Sequence, residues 1–378
     1  MTLVDLSDVP VVDGHCHPLL PDPWSVSDAK FLDLFSEGRP GTMAGHIPHT
    51  GYFRRAIHGL ARRLGTEATL NAVRERRRSL GLEVARRGLV ESRVTALLVD
   101  TGYPPEAMSL EAMRELLPCA VHEVFRIETC AQTLLENALE YEEFLAAFRH
   151  TLAAAAQRCV ALKTVIAYRS GLAVRAWESS EVVDAYRRVR ARVEAGGSRR
   201  LTEKPLLDTL FGVALETATA TSRPLQIHTG FGDPDIDLPQ ANPLLLRPVL
   251  EDPRWTAARL VLLHLAYPYV REAAFMAAVW PQVHVDLSLV LPVLGPGATP
   301  LLIDALSLGP TSKLLYGSDV GALPELFGLA ADWGRAALGE ALGWLVARGG
   351  LTSDEARVAG GHILSGNAET LYRLPVPG

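Results

Sequence analysis

Short apolar runs alternate along the chain with longer segments in which apolar residues recur at helical spacing. Each run has about the length of one β-strand, and several are apolar almost throughout, which is typical of parallel strands buried on both faces. The longer segments, such as 134–159 and 269–280, have the periodicity of helices. The pattern predicts strands at residues 9–15, 94–101, 121–128, 160–168, 224–230, 259–267, 283–289 and 313–319.

Eight strands separated by helices favour a (β/α)8 barrel over an open doubly wound sheet. Helical insertions are predicted at 19–92, after the first strand, and at 175–215, after the fourth. Segments of this length often cover the entrance to an active site. The tail 325–374 is predicted to be helical, and residues 1–378 are interpreted as one domain because no linker or repeat interrupts the pattern.

Composition narrows the class of partner. The net charge of −6 gives no positive field that would attract nucleic acid or an anionic membrane. The four cysteines are widely spaced, so no disulfide framework is expected. The N-terminal sequence lacks the pattern of a signal peptide, and no uncharged apolar stretch of about 18 residues suggests a membrane span. These features predict a cytoplasmic protein that acts on a small molecule; a homodimer is expected from base rates alone.

Polar side chains occur at or near the carboxyl ends of five of the predicted strands. They are His15, His17, Lys163, His228, His264 and Asp319. In a barrel these strand ends meet at the face that carries the chemistry. Residues two apart in an extended chain point to the same side, so His15 and His17 can face one point while Cys16 turns away. Imidazole and carboxylate groups are suitable ligands for a divalent first-row metal ion.

Each of these residues also has an ordinary structural explanation. Two histidines separated by one residue can arise by chance, and a lone strand histidine is often a hydrogen-bonded core residue. Lys163 could reach solvent from a strand end, and Asp319 could cap the next helix. Because all of them fall near the same predicted rim, the set favours a metal site.

The sequence resembles the amidohydrolase superfamily, and in particular its amidohydrolase family 2 branch. The matching stretches are VDGHCH, IHTG, LLHLAYP, YGSD and SGNAETLYRL. Further stretches resemble the barrel domain that is found alone or fused to glutamine-synthetase-like domains. The resemblance implies His15, His17 and His228 as ligands, and Asp319 as a further ligand or as the base that activates water. It implies His264 as a ligand of a second metal or as a polarising acid.

The same resemblance leaves the number of metal ions open. In binuclear members a carbamylated lysine on the fourth strand bridges two ions, and a tyrosine five residues later contacts the substrate. Lys163 and Tyr168 have that spacing. Many members of the family 2 branch hold one ion and lack the lysine. One or two divalent ions are therefore expected, with Zn2+ as the first candidate and Mn2+ as the second.

The implied function is metal-dependent hydrolysis of an amide-like or imine-like C–N bond in a small polar metabolite. Two alternatives are non-oxidative decarboxylation at the same site and a non-catalytic binding or scaffold role. Candidate substrate contacts near the strand ends are Arg126, Glu128, Tyr168, Arg169 and Glu325. For each of these a structural ion pair or a helix cap is an equal alternative. Arg335 and Glu178 are interpreted as surface or insertion residues.

Overall fold

A computed structural model describes residues 3–375 and contains one parallel sheet with the strands in chain order. The sequence prediction of eight strands is confirmed, although most strands are shorter than expected. The strands are β1 (Val11–Cys16), β2 (Val94–Asp100), β3 (Ala120–Arg126), β4 (Ala161–Thr164), β5 (Leu225–Ile227), β6 (Leu260–Leu262), β7 (Val283–Asp286) and β8 (Leu314–Leu315). β1 and β4 are buried at every position, as expected for strands covered on both faces.

Helices connect the strands, so the architecture is the predicted (β/α)8 barrel. The α-helices before β4 are α1 (Asp28–Asp33), α2 (Gly51–Leu64), α3 (Leu70–Leu80), α4 (Leu82–Glu91), α5 (Leu110–Leu116), α6 (Ile127–Leu134) and α7 (Tyr141–Arg158). Those after β4 are α8 (Ser179–Glu194), α9 (Lys204–Thr221), α10 (Arg247–Leu250), α11 (Val270–Val279), α12 (Val290–Leu294), α13 (Ala298–Leu308), α14 (Glu325–Ala347), α15 (Ser353–Gly361) and α16 (Asn367–Tyr372). The last three confirm the helical tail.

The chain forms two compact units. The first comprises the described parts of Met1–His122, Gly232–Pro234 and Asp286–Gly378, and the second comprises Glu123–Phe231 and Asp235–Val285. Within the first unit β1 pairs in parallel with β2, and Gly14 N donates to the carbonyl of Tyr316, directly after β8, at 3.0 Å.

Within the second unit β4 lies in parallel register between β3 and β5. Arg126 is opposite Lys163, which is in turn opposite Gln226. The register continues through β5 and β6, where Leu225 is opposite Leu260. The carboxyl ends of these strands therefore lie at one edge of the unit's sheet, where the candidate polar residues follow them.

The insertion after β1 is an integral part of the first unit. Phe35 contacts both Phe53 and Tyr52, with ring centroids 5.3 Å apart in each pair. The guanidinium of Arg55 lies 4.6 Å from the ring centroid of Trp333, on α14. Because this aromatic cluster is packed against α14, the insertion is anchored to the unit that contains β1 and β8.

The insertion after β4 consists of α8 and the first part of α9, which are separated by a polar segment as predicted. Glu178 and Glu181 form a reciprocal capping box at the start of α8, so Glu178 is a helix cap. Arg192 closes the polar break by donating to the carbonyls of Ser198 and Arg200, at 2.9 and 2.7 Å.

Two predicted strands end earlier than the apolar pattern indicates. β4 ends at Thr164 and β6 at Leu262, and the residues that follow form the short 3-10 turns Ile166–Tyr168 and His264–Ala266. His264 has a φ of +62°, a left-handed conformation that non-glycine residues seldom adopt. The apolar pattern continues through these turns, so it does not reveal where the backbone leaves the sheet.

The helix predicted over 134–159 is interrupted. Ala138 has a φ of +49°, and α7 begins after a capping box formed by Glu140 and Glu143.

The segment Val290–Leu308 is long and apolar enough to cross a membrane by composition, but it is broken between α12 and α13 and is half buried in the chain. One such segment is weak support for a membrane span. All four cysteines are free.

Candidate metal centre and adjoining polar residues

Two imidazoles and one carboxylate meet in the first unit. The Asp319 Oδ1 atom lies 3.0 Å from His15 Nε2 and 3.3 Å from His17 Nε2. His15 is fully buried, whereas the His17 and Asp319 side chains are 18% and 14% exposed. Cys16 turns away from both histidines, and its thiol donates to the carbonyl of Leu98. The alternation expected from the sequence at residues 15–17 is present in the structure.

These three side chains fit a divalent metal ion. Ligand atoms about 2.0–2.2 Å from one zinc ion lie roughly 3.0–3.6 Å from each other, which matches the observed spacing. His17 Nδ1 is buried with no hydrogen-bond partner, and the group combines nitrogen with carboxylate oxygen donors. The partial exposure of His17 and Asp319 leaves one side of the group accessible to a small molecule.

Asp100, the last residue of β2, is a further candidate ligand that sequence reasoning missed. It is fully buried, and one of its oxygens lies within 4.8 Å of ligand atoms of both His15 and His17. Its Oδ1 atom also accepts a hydrogen bond from Gly102 N at 3.1 Å. An acid that ends an apolar strand was the available sequence signal, because Asp319 was recognised from the same kind of pattern.

Backbone hydrogen bonds fix the position of Asp319. Asp319 N donates to the carbonyl of His15 at 2.9 Å, and His17 N donates to the carbonyl of Val320 at 2.8 Å. The φ of Asp319 is +61°, a strained conformation that persists only when neighbouring contacts impose it. The segments after β1 and β8 are thus interlocked, and the carboxylate is held against both imidazoles.

Asp13 is a buried residue whose carboxyl group contacts Ser318, the residue before Asp319. Its two oxygens accept from Ser318 N at 2.9 Å and from Ser318 Oγ at 2.5 Å. Burial raises the pKa of Asp13 to about 8, although the hydrogen bonds from Ser318 oppose the shift. Sequence reasoning missed Asp13, whose role depends on contact with a residue 305 positions away.

Glu37, in the insertion after β1, has a carboxyl group with a strongly raised pKa. Burial raises the pKa of Glu37 to about 8, and the negative charges of Asp319 and Asp233 contribute to the shift. The carboxyl group is therefore largely protonated at neutral pH in the metal-free protein. The sequence offered no signal for it, because Glu37 follows no predicted strand.

The second unit brings His228 and His264 together. His264 Nε2 lies 3.0 Å from His228 Nδ1, and His228 Nε2 lies 3.2 Å from the carbonyl oxygen of Phe231. If His228 is neutral, its Nε2 donates to this carbonyl, so its Nδ1 accepts from His264 Nε2. Tyr168 covers His228, with the ring centroids 4.3 Å apart. Both histidines are buried.

Lys163 is also buried in the second unit, with 1% of its surface exposed. The alternative that it reaches solvent from the strand end is therefore wrong. A buried ammonium group is costly unless it is compensated, which is compatible with the carbamylation that the resemblance implies.

Arg126, Glu128 and Arg169 form one electrostatic group at the carboxyl ends of β3 and β4. Glu128 Oε1 accepts from Thr164 Oγ1 at 2.5 Å and from Val165 N at 3.0 Å. Burial raises the pKa of Glu128, while the hydrogen bond from Thr164 and the charges of Arg126 and Arg169 oppose the shift. Three of the five residues proposed from sequence as substrate contacts are therefore neighbours.

Glu325 lies in a different environment. Its carboxylate forms a buried ion pair with Arg77, which also donates to the carbonyl of Pro23 at 2.8 Å. Arg335, expected at the surface, is 7% exposed and donates to the carbonyls of Val9 and Ser92, so that prediction is wrong.

The fold and these side chains define a (β/α)8 barrel with imidazole and carboxylate groups at its strand ends. The family model described as amidohydrolase, family 2, matches residues 12–374. The chain therefore belongs to the amidohydrolase family, and its broad class is that of the metal-dependent enzymes of this superfamily. The match confirms the resemblance seen in the sequence.

Three known proteins show how far the likeness extends. The chain is 29% identical to Protein fluG of Emericella nidulans over 97% of its own length but only 46% of that protein, so it spans about half of this curated relative. A crystal structure from Lactobacillus casei, provisionally described as a metal-dependent hydrolase, is 26% identical with a TM-score of 0.87 and 98% coverage of both chains. The uronate isomerase of Thermotoga maritima is 16% identical, with a TM-score of 0.69 over 97% of this chain and 95% of the isomerase. The isomerase supports the fold alone.

Proposed function

We propose that the protein is a metal-dependent hydrolase that cleaves an amide-like or imine-like C–N bond of a small polar metabolite. The main support is the convergence of His15, His17 and Asp319. The Nε2 atoms of the two histidines lie 3.0 and 3.3 Å from one carboxylate oxygen of Asp319. A divalent ion, Zn2+ in first place and Mn2+ in second, supplies Lewis acidity that lowers the pKa of a bound water to about 7.

The residues of this chain then have distinct tasks. Asp319 accepts the proton of the attacking water, because its backbone N–H is held by the His15 carbonyl and its carboxylate lies 3.0 Å from the His15 imidazole. His264 donates a hydrogen bond to the oxygen on which negative charge develops. Its Nε2 is already a hydrogen-bond donor if His228 has the tautomer inferred above.

We assign His228 and Lys163 as further ligands, and His264 as a ligand of a second ion in the alternative to its donor role. The support is family membership, the burial of all three residues and their location at the carboxyl ends of β4, β5 and β6. A carbamylated Lys163 would allow a second ion, and an unmodified one would restrict the site to a single ion.

Non-oxidative decarboxylation is the second candidate. The raised pKa of Glu37, which burial brings to about 8, favours it because a protonated carboxyl group can deliver a proton to carbon. A panel of small amides, imines and carboxylic acids tests both functions when ammonia or amine release and CO2 release are measured together. Release of amine without CO2 supports hydrolysis, and CO2 release without amine supports decarboxylation. Neither product from any substrate favours a non-catalytic barrel.

We also propose a cytoplasmic location, a small-molecule substrate, a homodimer and no nucleic-acid or membrane partner. The net charge of −6 supports the absence of polyanionic partners.

A further inference from the structure

The second unit concentrates guanidinium groups around the turn that follows β4. Arg126 ends β3, and both Arg126 and Arg200 lie close enough to Arg169 to interact with it electrostatically. Arg200 is compensated, because it forms an ion pair with Asp235 and donates to the carbonyl of Tyr168. The charges of both Arg126 and Arg169 act on the carboxyl group of Glu128.

Two buried donors in this group have no acceptor. Arg169 Nε and Ser170 Oγ are both inaccessible to solvent and have no hydrogen-bond partner in the protein. A buried donor without an acceptor is destabilising, and most such groups in folded proteins are satisfied by protein, water or ligand. Because the two residues are consecutive, one oxygen-rich group could accept from both.

The charge of Arg169 indicates the sign of that group. Its unpartnered Nε atom belongs to a positively charged guanidinium, so an anionic acceptor is favoured over a neutral one. Burial lowers the pKa of Arg169 and the charge of Arg200 lowers it further, while the charges of Glu128 and Asp235 oppose the shift. An anionic oxygen group would reduce this repulsion, and guanidinium binds carboxylates and phosphates through two parallel hydrogen bonds.

The position of the group relates it to the reaction. Tyr168 precedes Arg169 in the chain, and its ring lies 4.3 Å from that of His228, the proposed metal ligand. Glu128 accepts from Thr164 Oγ1 and Val165 N, directly before the same turn. Arg169 therefore follows, in the chain, a residue whose ring contacts a proposed metal ligand of this unit.

We propose that Arg169 and Arg126, with Ser170, form an anion subsite that binds an acidic oxygen group of the substrate, a carboxylate in first place. The substrate class is then an amide or imine that also contains a carboxylate at the end away from the scissile bond. This inference rests on the proposed function only for its link to catalysis. The binding of the anion itself can be measured separately.

The experiment is calorimetric titration of the metal-loaded protein with succinate, its neutral analogue succinamide and inorganic phosphate. Succinate is expected to bind and succinamide is not. Arg169→Gln is expected to weaken succinate binding by about tenfold or more, because a charge-assisted, bidentate contact is lost. Phosphate that binds more tightly than succinate would identify the acidic group as a phosphate.

Matched variants separate this effect from misfolding. Arg175 lies in the same unit and stacks on Trp177, 3.4 Å from the ring centroid, so Arg175→Gln is the control and should bind succinate as the unaltered protein does. Arg126→Gln provides a second test if Arg169→Gln does not fold.

Metal content is determined for every sample. Unaltered succinate affinity in metal-loaded Arg169→Gln and Arg126→Gln, or no binding of either anion to the unaltered protein, would overturn the anion subsite and leave the proposed function intact. Loss of succinate binding only in the two arginine variants supports it. A protein that binds succinate through Arg169 but holds no metal would retain the subsite and contradict the proposed function.

Discussion

Asp319 is linked twice to His15: its carboxylate lies 3.0 Å from the imidazole Nε2, and its backbone N–H donates to the His15 carbonyl at 2.9 Å. The first and last strands of the chain therefore contribute to one rigid arrangement. Such rigidity suits a metal site, where ligand positions must be maintained while substrate and product exchange.

We expect Asp13 to act as a positioning residue for Asp319, through its two hydrogen bonds to Ser318. Asp13→Ala leaves the Ser318 donors without acceptors and should lower the free energy of unfolding by about 1–3 kcal/mol. Metal affinity should also fall, about tenfold or more, because Asp319 loses its support. Asp13→Asn should lose less stability and less metal affinity, since its amide oxygen still accepts one hydrogen bond.

Denaturant unfolding and metal titration check both effects of the Asp13 variants. Asp354→Asn, at an exposed site, is the control. Unchanged metal affinity in Asp13→Ala would show that Asp319 needs no such support.

If Lys163 is carbamylated, Lys163→Ala should lose most activity, and short carboxylic acids should restore part of it by replacing the missing carbamate. The expected metal content falls from two ions to one. Activity assays with and without added acetate, together with metal analysis, give the answer. Full activity without any rescue would reduce the site to one ion and leave Lys163 outside the catalytic group.

Glu37 should make the stability of the metal-free protein depend on pH. Its pKa rises from 4.5 to about 8 on folding, so between these values the folded state binds a proton that the unfolded state has released. Stability is therefore fully present below about pH 4.5 and is lost as the pH rises towards 8.

Glu37→Gln should make this decline shallower without abolishing it, because the pKa of Asp13 is raised in the same direction. Denaturant unfolding of the metal-free protein at a series of pH values measures the slope. An identical slope in Glu37→Gln would show that Glu37 has no raised pKa.

Glu325 was a candidate substrate contact, but its ion pair with Arg77 indicates a structural role. Glu325→Gln should lower the free energy of unfolding by about 3 kcal/mol, because Arg77 remains buried without its counter-charge. KM should change little at a temperature where the variant is folded. A large rise in KM with normal stability would instead place Glu325 at the substrate.

The fold was predictable because each buried strand is an apolar run and the helices have their own period. His15 and His17 were predictable for a similar reason, since the two-residue repeat of extended chain sets their direction. Asp13 and Glu37 were not, because their chemistry depends on burial and on partners far away in the chain. Local patterns contain no such information.

Arg335 shows that a local pattern can also suggest the wrong environment for a side chain. Its charge suggested the surface, yet its guanidinium is buried and donates to the carbonyls of Val9 and Ser92, 326 and 243 residues away. Asp332, three residues earlier, also pairs with this guanidinium at 3.5 Å, but the two carbonyls that accept from it lie far away in the chain.

Metal analysis of purified protein is the most direct measurement, with His15→Ala and His17→Ala as variants and the exposed His150→Ala as the matched control. We expect about one or two divalent ions per chain in the unaltered protein and in His150→Ala, and a loss of most of this metal in the other two. Added Zn2+ or Mn2+ should raise the melting temperature of the metal-free protein, because a ligand that binds only the native state stabilises it. Full metal content in His15→Ala and His17→Ala, or an unaltered protein that holds no metal and gains no thermal stability from either ion, would contradict the proposed metal centre.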